Sequence, residues 1–86
     1  MIQMNNAQIH PLQVESVTIT KDFSDDSNGD TILSGNYQIE RINMEDNTLI
    51  LFVNVRDHRG INDTRKMVLD PNTEDSNITV NTSSNN

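Results

Sequence analysis

The nine residues Thr48 to Arg56, TLILFVNVR, restrict the fold more than any other part of this chain. At the two-residue repeat of a strand, Leu49, Leu51, Val53 and Val55 share one face while Ile50 and Phe52 share the other. Such a strand is apolar on both sides for much of its length. A single sheet leaves one face in water unless a helix, a second sheet or another subunit covers it. The chain has no evident helix to supply: it contains one alanine, whereas Val, Ile and Thr contribute 23 residues, a balance that favours pleated strands. The expected fold is therefore all-β, a small antiparallel meander of four to five strands, barrel-like or sandwich-like, or a sheet completed by oligomerisation.

The other strands are expected at Leu12 to Thr20, Asn36 to Met44, Arg65 to Leu69 and, shorter, Asn77 to Val80. Glu45-Asp46-Asn47 has the length and residues of a hairpin connection, DHRGIND around Gly60 reads as a longer one, and Pro71 stops the fourth strand because it has no N–H for a ladder. The first two strands carry one pattern. In LQVESVTI and YQIERINM, two apolar residues on one face are followed, after two polar positions, by two on the opposite face. A β-bulge rotates the pleat in this way and lets a strand turn the corner of a barrel or sandwich, which makes Glu15-Ser16 and Glu40-Arg41 the bulge candidates. Residues 1–9 are expected to be a loose segment, 10–80 a single β domain and 81–86 a disordered polar tail.

A domain of 86 residues buries only about 60–65% of the surface its unfolded chain exposes, so its stability is small and a partner subunit would add to it. A homo-oligomer is the expectation. Leu, Ile, Val and Phe make up 22 residues, enough to fold. With no cysteine, a disulfide framework is excluded and a reducing compartment is expected. The start, MIQMNNAQIHPLQ, lacks a basic, then apolar, secretory signal, and the longest apolar run, Leu49 to Val53, is far too short to span a bilayer. No membrane association is expected, and the location is expected to be cytoplasmic, that of the host cell if phage-encoded. The sequons at Asn62, Asn77 and Asn81 are then idle.

The formal charge of −7 argues against direct nucleic-acid binding, which is driven by phosphate neutralisation. The charge is uneven. Residues 56–66 hold Arg56, Arg59, Arg65 and Lys66 against Asp57 and Asp63, a basic loop on an acidic body. Arginine is enriched at protein contacts, so Arg56, His58, Arg59, Arg65 and Lys66, with Asp25 and Asp26 on the acidic side, are the candidate protein-binding residues. His58 has only His10 as a second histidine and no phosphate loop or nucleophile motif beside it, so no catalytic residue and no cofactor is expected. The stretch DFSDDSNGDT uses the vocabulary of a calcium loop. With Gly29 at the sixth position of an EF-hand, Ser24, Asp26 and Asn28 fall on ligand positions, but Gly35 replaces the bidentate glutamate at the twelfth. A solvated loop is the expectation, with Asp25, Asp26 and Asp30 as the residues that would hold calcium weakly.

The run LQVESVTITKDFS resembles the first strand of the SecB-like export chaperones, through Leu12, Gln13, Val14, Val17, Thr20, Lys21, Asp22, Phe23 and Ser24. The resemblance implies a four-stranded antiparallel sheet, assembly into dimers or tetramers, and binding of unfolded polypeptide. It departs from that family in lacking the helices that follow the sheet. The expected function is a non-catalytic, small acidic protein-binding module acting as an inhibitor or adaptor, of phage or mobile-element type. The alternatives are a SecB-like chaperone and a virion structural or assembly component.

Overall fold

The computed structural model describes residues 8–25 and 29–83; residues 1–7 of the expected loose start (1–9), Asp26 in the acidic stretch and the last three residues of the expected polar tail (81–86) lie outside them. Among the described residues the protein is a two-layer β-sandwich, not closed into a barrel. A 3-10 turn, Pro11–Gln13, leads into β1 (Val14–Ile19), β2 (Phe23–Asp25), β3 (Asp30–Ile32), β4 (Gly35–Gln38), β5 (Arg41–Asn43), β6 (Thr48–Arg56), β7 (Asn62–Leu69) and β8 (Ile78–Thr82). One sheet has the order β4-β1-β8. The other is built on β6, which pairs with β7 along one side and with β5 and β3 in succession along the other, β2 flanking β3. All pairings are antiparallel.

The all-β expectation holds, with differences in how the strands are cut. Within the segment 22–31, expected to be a solvated loop, the described residues Phe23–Asp25 and Asp30–Thr31 belong to the antiparallel β2–β3 pair, with the Gly29 N–H donating to the Asp25 carbonyl at 3.0 Å and Gly29 at φ 72°. The expected single strand 36–44 divides into β4 and β5, which belong to different sheets. Asn81 and Thr82, placed in the polar tail by sequence, complete β8. The connections are consequently not a simple meander: β1 finds its partners in β4 and β8 instead of in the strand that follows it.

Both bulge sites fall where the phase change in the sequence put them. Along β1 the register against β8 advances from Val14↔Thr82 to Ser16↔Asn81, which leaves Glu15 as the extra residue and returns Val17 to the face that Val14 occupies. At the β4–β5 corner the Glu40 N–H reaches the Ile50 carbonyl at 2.8 Å while Arg41 is the register partner of Ile50, so two consecutive residues face one. The second bulge carries the chain from one sheet to the other. Between the layers lie Val14, Val17 and Ile19 of β1, Ile32, Tyr37, the four odd-numbered apolar residues of β6, and Leu69.

Candidate functional site

The second face of β6 is only partly covered. Ile50 is 7% exposed and Phe52 47%, and Val68, which pairs with Ile50 from β7, is 57% exposed. Register and alternation define the rest of this outer face. Arg41 stands beside Ile50, Lys66 beside Phe52, Thr64 beside Asn54, and Arg56 between Thr31 and Asn62. On the outward strand positions of β2, β3, β5, β6 and β7 there are three cations and no carboxylate, in a chain with 13 acidic and six basic residues. Arg41, Arg56 and Lys66 have no ion pair among the described residues. An acidic protein thus presents one positive, partly apolar sheet face.

The basic hairpin read from the sequence is divided by this alternation. Arg65 lies on the inner face, where it pairs with Asp63 and reaches across β6 to Asp30 of β3, Nε to Oδ2 3.5 Å. Asp30 is 4% exposed and its Oδ2 has no hydrogen bond, so the Arg65 guanidinium is what balances this buried carboxylate. Arg59 is held at the turn by Asp57 Oδ2, 2.8 Å from Nη2 and 3.2 Å from Nε. His58 is exposed at the tip. Only Arg56 and Lys66 of the expected cluster join the outer face, and Arg41, Phe52 and Val68 were missing from it. Of the calcium candidates, Asp25 and Asp30 are cross-strand partners, Asp26 is outside the described residues, and among these residues no group of three or more acidic or histidine side chains is placed to hold a metal.

Asp57 organises the hairpin turn. Its Oδ1 accepts the Ile61 and Arg59 N–H groups, each at 2.9 Å, and the Ile61 bond first, then the Arg59 guanidinium and N–H, hold its pKa down at about 2 from an ordinary 3.8. A depressed folded-state value means that the contribution of this carboxylate to turn order is complete above about 4 and is lost as pH falls through about 2. An NMR titration is expected to show the Arg59 and Ile61 amides moving together with a midpoint near 2. A midpoint close to 4 would mean that the turn is not organised by these bonds. Asp22, which accepts the Ser34 N–H at 2.7 Å, is lowered for the same reason, chiefly by that backbone bond.

Two other features were weighed. A cleft of about 360 Å³ opens beside the 3-10 turn, lined by His10, Asp46, Asp70 and Asn72 among others, but the His10 Nδ1 is occupied in accepting the Leu12 N–H at 3.1 Å and no serine or lysine lines it. On the outside of the small sheet the Asn81 amide donates to Ser16 and Thr18, a polar row that satisfies itself. No helix among the described residues is long and apolar enough to cross a membrane. Comparison with protein families, curated proteins and solved structures finds no match in any of the three.

Proposed function

We propose that this protein is a non-catalytic protein-binding module, an inhibitor or adaptor, that docks an acidic surface of another protein on the outer face of its five-stranded sheet. The observation that supports this reading is that exposed Phe52 and Val68 share with Arg41, Arg56 and Lys66 a set of outward strand positions that holds no carboxylate. Aromatic and arginine side chains are enriched in contact surfaces, and clustered cations steer an anionic partner. A nucleic acid is disfavoured as the occupant: three cations and one aromatic ring neutralise few phosphates, and the whole chain at −7 repels a polyanion.

The test begins with affinity capture from the native host and proceeds to titration of the purified partner. Phe52→Asp and Lys66→Glu are each expected to weaken binding by about tenfold or more, Lys66→Glu through the association rate and with a salt-dependent effect. Arg59→Glu, at a residue already engaged by Asp57, is expected to leave affinity within about twofold. The opposite ranking would overturn the assignment of the face, and binding of a single-stranded oligonucleotide would overturn the class of partner. Holding of unfolded polypeptide, the SecB-like alternative, would appear instead as suppressed aggregation of a test client that loses its effect with Phe52→Asp.

A further inference from the structure

The long edge of the five-stranded sheet is open. Which backbone groups of β7 face away from the sheet follows from the other side of β6. The Leu33 N–H donates to the Asn54 carbonyl at 2.9 Å and the Glu40 N–H to that of Ile50, so the even-numbered residues of β6 direct their polar groups toward β3 and β5. Alternation directs those of Leu49, Leu51, Val53 and Val55 toward β7, where Leu69, Met67, Arg65 and Asp63 are their register partners. The N–H and C=O groups of Asn62, Thr64, Lys66 and Val68 therefore point away from the sheet, and no described strand covers them; at Thr64 the N–H donates to Asp63 Oδ1 at 2.8 Å and the C=O accepts from Arg65 Nη1 at 3.3 Å, exposed side-chain bonds that strand pairing would replace. Among the described strands that border a sheet, this edge of eight residues is the longest.

We infer that the occupant of this edge is a second copy of the chain, joined by antiparallel β7–β7 pairing about a two-fold axis through Thr64. The charges along the strand select this partner and this register. Outward-facing residues must pair with outward-facing ones, so the axis passes through a residue position. An axis through Asp63, Arg65 or Lys66 sets two like charges directly opposite each other, which is destabilising. An axis through Met67 sets Arg65 against Leu69 and forms no charge pair. Through Thr64, Asp63 of each copy lies opposite Arg65 of the other and Asn62 opposite Lys66. The sequence NDTRK is thus self-complementary about its centre.

The same charges that resist open-ended aggregation at an exposed edge make this the pairing that sets opposite charges face to face within β7. The contact is isologous, as a two-fold interface requires, and it fuses two five-stranded sheets into one of ten strands. The two Phe52–Val68 faces then lie on one side of a continuous sheet and stay open. The inference does not rest on what docks on that face.

Light scattering on the whole chain at concentrations up to about 1 mM, where weak edge pairing is populated, is expected to reach twice the monomer mass of 9.7 kDa. Thr64→Pro removes an N–H that within the chain donates to the exposed side chain of Asp63 at 2.8 Å and to no strand, and proline is tolerated on an edge strand, so the circular dichroism should be unchanged while the dimer dissociation constant rises about tenfold or more. The register has its own readout, since the chain has no cysteine. In Thr64→Cys the two new thiols face each other with Cα atoms about 5.5 Å apart, within reach of a disulfide, and oxidation should give a covalent dimer. In Lys66→Cys the two positions are about 13 Å apart along the strands and should not cross-link. A wild-type chain that remains monomeric throughout, a dimer indifferent to Thr64→Pro, or cross-linking as ready at 66 as at 64 would each overturn the inference.

Discussion

Leu51→Ala is expected to lower the unfolding free energy by about 2–5 kcal/mol, the range for a leucine truncated in a packed core. Leu51 sits at the middle of β6 with no exposed surface, opposite Met67 on β7 and facing the β1 layer. A domain of 86 residues, at about 0.05–0.15 kcal/mol per residue, has about 4–13 kcal/mol in all. The substitution therefore removes a large fraction of the stability, and at the lower end of the range it unfolds the protein. Phe52→Ala, one residue along the same strand, is the internal control. With its ring 47% exposed, the loss is expected to stay near 1 kcal/mol. Urea unfolding followed by circular dichroism separates the two, as a large downward shift of the midpoint for Leu51→Ala against a small one for Phe52→Ala. Equal shifts would mean that the outer face is as well packed as the inner one, and that something covers Phe52.

The contrast between these neighbours shows what the sequence disclosed and where it stopped. The inner face of β6 was legible because Leu49, Leu51, Val53 and Val55 repeat at period two, and the two bulges were legible because apolar residues change phase at Glu15-Ser16 and Glu40-Arg41. The β2–β3 hairpin was not. Asp25 and Asp30 have the composition of a loop, and what allows Asp30 into the interior is Arg65, a residue 35 positions later on a strand that meets β3 only through β6. No local pattern encodes that balance. The binding face was obscured by a boundary. With the fourth strand expected to begin at Arg65, the cations of residues 56–66 form one loop cluster; with β7 beginning at Asn62, alternation sends Arg65 inward and Lys66 outward. Arg41 joins them only through a register that no single segment contains.

Tyr37→Phe is expected to cost about 1–3 kcal/mol, although it removes a single oxygen. Tyr37 belongs to β4 in the small sheet, but its hydroxyl crosses the interlayer space to the other sheet, donating to the Leu33 carbonyl at 2.7 Å and accepting the Asn54 N–H at 3.3 Å. The Leu33 N–H already donates to the Asn54 carbonyl at 2.9 Å, so the hydroxyl stands where the reciprocal bond of that ladder pair would form. The β3–β6 ladder at this point runs through a side chain of the opposite layer. Phenylalanine keeps the apolar burial of the ring, and the difference measured is that of two backbone groups left without a partner in a place with little water. Hydrogen exchange gives the specific readout: the Asn54 amide should lose protection by more than the global change in stability accounts for, whereas the amides of Leu51 and Val53, bonded on the β7 side, should change only by the global amount. A uniform change across β6 would show instead that Leu33 and Asn54 close the gap and bond directly, so that the tyrosine spaces the two layers without carrying the ladder.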